Sequence, residues 1–320
     1  MLIFTEDEIR QCIHMNEDVI EEVESAFLGL ASDMTQMPPT MRIDIPDNNG
    51  EIVVKTAFIS GHEMFALKVS SHFFDNYRLG LSSTGGMMML MNALNGKPEA
   101  IFYDNGYLTN LRTGAAGAIA AKHLANDRIK QVGVIGTGAQ ARAQLRALKF
   151  VRDFDTVYVY GRTRNRIAQF KDEMETALGV AVQVMDRPEY VARSSELLIT
   201  ATPSKEPIVH DDWIGEGMHI TAVGADAIHK QELDENILKR ADSIICDFIT
   251  QSASHGELRA AIEKNQMLSS SKIIELGQII SHQEKGRQSK QEITVADLTG
   301  TGAQDTKIAL YAYKKLTEEK

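Results

Sequence analysis

Hydrophobic and polar positions follow two different rhythms along this chain, and the change of rhythm divides it. Within residues 1–120, Glu51–Phe58, Phe65–Ser70 and Gly86–Leu90 are strand-like runs, with a turn at Asn95-Gly96-Lys97-Pro98. Short runs punctuated by turn residues are the signal of antiparallel strands. Ahead of them Glu17–Leu30 reads as a helix and Pro38-Pro39 interrupts the chain. From Leu108 to Leu124 small residues recur at close spacing (TGAAGAIAAKHLA), which predicts a helix packed tightly on another backbone.

In the middle the pattern becomes strand, helix, strand. Val132, Val134 and Ile135 begin a series continued by Thr156–Tyr160, Ala181–Val184, Leu197–Ala201, His219–Val223 and Ser243–Cys246, with helical segments between. This alternation predicts an α/β fold built on a doubly wound parallel sheet, a Rossmann domain, with ligands at the carboxyl ends of the strands where their order reverses. Past residue 290, Glu292–Leu298 reads as a strand and Asp305–Leu316 as a helix, a tail expected to return to the first domain. The expected domains are therefore residues 121–291, and residues 1–120 with 292–320.

The first strand of the series ends in Gly136-Thr137-Gly138-Ala139-Gln140-Ala141. That is G-x-G-x-x-A between a strand and a helix, the setting of a dinucleotide turn. Gly136 would permit the tight turn, Gly138 the approach of a pyrophosphate, and Ala141 the close packing of the helix, whose N-terminus offers unpaired N–H groups. NAD-binding chains place an acid about twenty residues on, for the ribose 2′-hydroxyl. Here the second strand ends Tyr160-Gly161-Arg162-Thr163-Arg164. Two guanidiniums and a hydroxyl suit a 2′-phosphate, so NADP is favoured and NAD stays open; the plainer reading is a solvated helix cap.

Composition narrows the function classes. The 320 residues carry a formal charge of -10, with 43% apolar and 24% charged residues and no basic block, which argues against nucleic acid as principal partner. Cys12 and Cys246 form no metal or redox motif, and nine histidines show no metal-ligand spacing, so a reducing cytoplasm and no metal are expected. The N-terminal MLIFTEDEIRQ is too acidic for a signal peptide, and Met87–Met91 is far too short to span a membrane.

Hydride transfer to a small acid needs a cation for the carboxylate and a group that moves a proton. Arg42, Lys68 and Arg112 each stand among apolar or small neighbours, where an unpaired charge is costly. They are candidates for the carboxylate, or else members of internal salt bridges. Asp226, in Val223-Gly224-Ala225-Asp226, follows the fifth strand of the series at its carboxyl end and is the candidate proton-transfer residue. Its alternative is the N-cap of a helix over Ala227–Leu233.

At these residues the chain resembles the ornithine cyclodeaminase/mu-crystallin family along nearly its whole length. The likeness runs through Met37-Pro38-Pro39 and Arg42, Ala66-Leu67-Lys68-Val69, Asn105–Thr109 with Leu111-Arg112-Thr113, Gly136–Arg142, Gly224-Ala225-Asp226 with Lys230-Gln231-Glu232-Leu233, and Asp297–Asp305. The resemblance implies a discontinuous substrate-binding and dimerisation domain, formed by both termini, and a central NAD(P)-binding Rossmann domain. It implies that Arg42, Lys68 and Arg112 hold the substrate carboxylate, with Thr84 a further substrate-side position. It makes Asp226 and Lys68 the catalytic candidates, and a homodimer the expected assembly. The cofactor contacts expected are Thr113, Gly136, Thr137, Gly138, Ala139, Gln140, Arg162, Thr163, Arg164, Thr202, Val223, Gly224, Thr301 and Gly302.

Departures from the family pattern carry the substrate argument. Where ornithine cyclodeaminases have a glutamate eleven residues beyond the first arginine, this chain has Val53, and two residues later it has Lys55. Strand periodicity puts Val53, Lys55 and Ala57 on one face. An anion lost and a cation gained suit a second carboxylate on the substrate. The chain looks most like the ectoine-utilisation cyclodeaminase-like and iminosuccinate reductase branch. Reduction of a small imino acid, with iminosuccinate to aspartate as the specific expectation, leads over ornithine cyclodeamination and over non-catalytic small-ligand binding.

Overall fold

The computed structural model describes residues 1–32, 34–264 and 268–318. Its contacts divide the chain into two compact units, residues 1–112 with 301–320, and residues 113–300.

The first unit is a mixed sheet with strands β1 (Leu2–Thr5), β2 (Thr35–Gln36), β3 (Met41–Ile45), β4 (Gly50–Ile59), β5 (Met64–Phe73), β6 (Thr84–Asn92) and β7 (Pro98–Tyr103). Their order is β1-β7-β6-β5-β4-β2, with β3 also paired to β4. Only β1, parallel to β7, departs from antiparallel pairing. Side chains alternate between faces, and on β4 the alternation buries Glu51, Val53, Lys55, Ala57 and Ile59. The Gly302–Glu318 helix packs on β4, β5 and β6, and the Glu17–Ala31 helix packs on it in turn. The latter buries Val19, Ile20, Val23, Ala26 and Phe27, a stripe at helical spacing, and Asn16 caps it by accepting from the Val19 amide at 2.9 Å.

Two small residues seat the C-terminal helix on the sheet. A Cβ on Gly302 would stand 2.2 Å from the Thr56 carbonyl oxygen, so only glycine allows this approach. One turn on, the Thr306 hydroxyl donates to the Ala57 carbonyl at 2.8 Å and accepts from the Ala66 amide at 3.1 Å, bridging β4 and β5.

The second unit holds an all-parallel sheet of β8 (Gln131–Ile135), β9 (Thr156–Tyr160), β10 (Ala181–Val184), β11 (Leu197–Thr200), β12 (His219–Ala222), β13 (Ser243–Cys246), β14 (Ile273–Glu275) and β15 (Thr294–Asp297). The order is β10-β9-β8-β11-β12-β15-β13-β14, so the direction of winding reverses between β8 and β11. This is the doubly wound sheet that the alternating pattern predicts, and every residue of β11, β12 and β15 is buried.

Three expectations are corrected. Residues 292–300 belong to the second unit, because β15 pairs with β12 on one side and β13 on the other. A short strand buried on both faces, here Thr294-Val295-Ala296-Asp297, does not say from its own sequence which sheet it joins. The units meet in sequence at Arg112 and Thr113 rather than near residue 120, within the single helix Tyr107–Leu124. Residues 227–233 form a turn and extended chain, not a helix, so Asp226 is no N-cap.

Candidate active site

In the first unit the sheet register assembles a group of charges. Lys55 on β4 stands directly across from Lys68 on β5, on the face covered by the C-terminal helix, and both are buried. From that helix Asp305 reaches Lys68 Nζ at 2.8 Å and Arg112 Nε at 2.9 Å. Arg112 arrives from the Tyr107–Leu124 helix, and its Nη1 donates to Gln304 Oε1 at 3.1 Å. Burial first, and then the charge of Arg112, bring the Lys68 ammonium down to about 7, with Asp305 only partly opposing them. Burial would raise the Asp305 carboxyl, but Arg112 and then Lys68 outweigh it and hold the group below its ordinary value. Two cations thus share one carboxylate, with a third opposite, a balance that suits an anionic ligand.

Not every expected member joins this group. Arg42, across from Val53, lies on the same face, but its guanidinium is engaged by Asp44 at 2.9 Å and by the buried Glu51. Its charge is therefore spent inside the sheet, the salt-bridge alternative raised by its isolated position. Thr84 is exposed and registers with His72, four residues along β6 from the Met88 that faces Lys68. At about 3.3 Å per residue this puts it roughly 13 Å along the strand. Asp104 accepts from the Leu108 amide at 2.8 Å at the start of the Tyr107–Leu124 helix, and burial raises its carboxyl to about 6.

In the second unit the glycine turn has the conformation its spacing requires. Gly136 has φ 119°, and a Cβ there would fall 2.4 Å from the Ala201 carbonyl oxygen. At Gly138, the N-cap of the Ala139–Leu148 helix, a Cβ would meet nothing within 4 Å. The space beside Gly138 is what a pyrophosphate needs to reach the helix N-terminus, so these residues fit a dinucleotide. Arg142 braces the turn from behind: its Nη1 donates to the Thr137 carbonyl at 2.6 Å and its Nε to Glu173 at 2.5 Å. Gln140 follows the turn on the same helix, and Thr113 is tied in through its carbonyl, which accepts from Gln144 at 2.7 Å. Beyond β9, Arg162, Thr163 and Arg164 are exposed at the head of the Arg164–Leu178 helix.

The next two strand ends are joined by one side chain. Glu232 accepts from the Thr202 amide at 2.7 Å and hydroxyl at 2.8 Å, and from the Gly224 amide at 2.9 Å. It thereby links the loop after β11 to the loop after β12, where Val223 also lies. Burial raises this carboxyl to about 7 against those donors. Two further buried acids support it: Glu257 accepts from the Glu232 and Leu233 amides at 2.8 and 3.1 Å, and Asp297 from the Leu258 amide at 2.9 Å. Asp226 follows on the same loop, with one oxygen 2.6 Å from the Nζ of buried Lys230. Thr301 and Gly302, expected at the cofactor, are buried in the cap of the C-terminal helix of the first unit, where Gly302 has the packing role given above. The resemblance places the tail from Thr301 to Asp305 near the nicotinamide, but Gln304, Asp305 and Glu232 are not singled out by it as site residues. Gln304 follows the small residues Gly302 and Ala303, the kind of signal used for the cations, whereas Glu232, between Lys230-Gln231 and Leu233-Asp234, carries no such mark.

The second unit, a parallel sheet with a glycine turn, has the architecture of a dinucleotide-binding domain, and the first unit gathers cations around one acid. The chain matches the ornithine cyclodeaminase/mu-crystallin family over residues 1–320, and it belongs to that family. It is similar to the Δ1-pyrroline-2-carboxylate reductase of Thermococcus litoralis, solved with NADH and L-proline, at 31% identity and TM-score 0.94, covering 100% of this chain and 98% of that one. An archaeal alanine dehydrogenase dimer with bound NAD is 34% identical, TM-score 0.91, with 100% and 97% covered. The iminosuccinate reductase of Paracoccus denitrificans with NAD+ is 28% identical, TM-score 0.88, with 100% and 97% covered. These three are two reductases and a dehydrogenase, each solved with NADH, NAD or NAD+.

Proposed function

We propose that this protein is a nicotinamide-dependent reductase of small imino acids, and that its substrate is a dicarboxylic imine such as iminosuccinate, reduced to aspartate. The observation that carries the reading is the convergence of Lys68 and Arg112 on Asp305 with Lys55 directly across from Lys68. Lys68 and Arg112 bind the carboxylate next to the imine, and Lys55 binds the second. When bound, a nicotinamide cofactor held at the Gly136–Gly138 turn would supply the hydride; with it added at the imine carbon and a proton taken up by the nitrogen, imine, hydride and proton balance to amine and oxidised cofactor. Asp226, held by Lys230, steers that proton directly or through water. The exposed Arg162 and Arg164 support NADP as the preferred cofactor, through paired donors to a 2′-phosphate. The substrate-binding unit is residues 1–112 with 301–320, and the cofactor-binding unit residues 113–300.

The test is a panel of oxaloacetate with ammonia, pyruvate with ammonia, and ornithine, each with NADH or NADPH (NAD+ or NADP+ for ornithine). Oxaloacetate with ammonia is expected to be consumed fastest. Lys55→Met should lower kcat/KM for that pair by about 10- to 100-fold, the loss of one charged hydrogen bond, and leave pyruvate with ammonia little changed. Asp226→Asn should lower kcat by about 10²-fold or more while nucleotide still binds. Equal loss on both acids would remove the role of Lys55, and unchanged turnover that of Asp226. Ammonia released from ornithine without net cofactor use would replace the reading with cyclodeamination.

The same reading includes a homodimer. The outer face of the first unit's sheet presents Ile43, Val54, Leu67, Val69, Met87 and Met89, partly exposed or fully so, a continuous apolar surface of the kind that mates with a copy of itself. Sedimentation of the native protein should give twice the chain mass, and Val69→Asp should shift it toward the monomer. A native monomer would overturn this assembly. Among the described residues no helix is long and apolar enough to cross a membrane, and a reducing cytoplasm stays the proposed compartment.

A further inference from the structure

Gln304 is fully buried in the first turn of the C-terminal helix, with Asp305 as its neighbour in the chain. Its side-chain oxygen accepts from Arg112 Nη1 at 3.1 Å, and its side-chain nitrogen has no hydrogen-bond partner. The two ends of an amide look alike in shape, but here chemistry assigns them. A guanidinium has only donors, so the end facing Arg112 must be the oxygen and the other end must be the NH2 group. Turning the amide over would set donor against donor. Buried donors are almost always satisfied, and this one sits at the cation group with a fixed orientation.

From this geometry we propose that Gln304 is a substrate-contacting residue whose Nε2 donates to an oxygen of the substrate carboxylate, beside Lys68 and Arg112. The inference rests on the reading of that group as a carboxylate site. Arg112 does two jobs in it, pairing with Asp305 and holding the Gln304 amide so that its donor side faces the ligand. A neutral donor adds something the cations lack. Its strength does not change with pH, and its two hydrogens have fixed directions, so it selects the planar carboxylate by geometry.

Two variants separate contact from scaffolding. Gln304→Glu keeps, and strengthens, the acceptor that holds Arg112 but replaces the donor face with an anion. Gln304→Leu removes both. Isothermal titration of the full-length protein, loaded with oxidised nicotinamide cofactor, uses succinate and pyruvate as probes, so no turnover is needed. Nucleotide affinity and melting temperature are measured on the same samples. Wild type is expected to bind a probe, and Lys68→Met to abolish the binding. Gln304→Leu should weaken it about 10- to 100-fold, the range for a hydrogen bond to a charged group. Gln304→Glu should weaken it at least as much while its melting temperature stays at the wild-type value or rises. Binding in Gln304→Glu within twofold of wild type overturns the assignment, since a scaffold role survives that change and a donor role does not. Absence of any probe binding by wild type overturns the carboxylate site itself, and the inference with it. Lys68-dependent binding that is indifferent to both Gln304 variants overturns the inference alone.

Discussion

Replacing Lys68 with methionine will lower kcat/KM for the imino acid by about 10³-fold or more and leave the protein as stable at pH 7 as it was. The activity loss combines a charged hydrogen bond, worth roughly 1.5–3 kcal/mol, with the loss of a group poised to carry a proton near neutral pH. Stability behaves differently because burial pushes this ammonium down to about 7 from its ordinary 10.5. Between those values the unfolded chain holds a proton that the folded chain does not, so stability rises with pH across that window. At pH 7 the charged form is a cost to folding, and methionine removes it. Arg112→Met shows the opposite balance, because Asp305 is then buried with Lys68 alone, and breaking a buried pair costs about 3–5 kcal/mol. The catalytic pH profile follows from the same shift. Only the protonated Lys68 grips a carboxylate, so kcat/KM should fall as pH rises through about 7. Lys68→Arg, charged throughout the range, should lose that limb even if its activity is lower. A profile flat from pH 6 to 9 in wild type, or an unchanged limb in Lys68→Arg, would remove Lys68 from carboxylate binding.

Gly136→Val will abolish nucleotide binding and lower the melting temperature sharply, whereas Gly138→Ala will weaken nucleotide binding about tenfold or more with little change in melting. The first substitution meets the Ala201 carbonyl oxygen at 2.4 Å and a φ of 119° that L side chains rarely adopt, so the turn after β8 cannot close as it does. The second enters open space at φ -87° and harms only the approach of a pyrophosphate to the Ala139–Leu148 helix. Titration of NADH and NADPH fluorescence, with thermal melts of the same samples, distinguishes the two. Tight nucleotide binding by Gly138→Ala would place the cofactor elsewhere.

Much of this was legible in the residues alone because it is local. A strand followed by G-x-G-x-x-A and a helix depends on contacts within about a dozen residues, and alternation on β4 fixes which side chains share a face whatever packs on them. So the parallel series from Val132 to Cys246, the glycine turn, and the company of Val53, Lys55 and Ala57 could all be read in advance. What the sequence could not decide is which partner a charge finds. Arg42, Lys68 and Arg112 look alike as isolated cations, yet Arg42 is engaged by Glu51 and Asp44 while the other two share Asp305, 237 residues from Lys68 in the chain. The same holds for β15, a short buried strand that could serve either sheet and takes the parallel one, and for Gln304, whose free donor exists only because Arg112 claims the other end of its amide. Local periodicity is set by backbone geometry, whereas the pairing of buried charges is set by tertiary packing, which brings distant segments within hydrogen-bond reach where water is excluded.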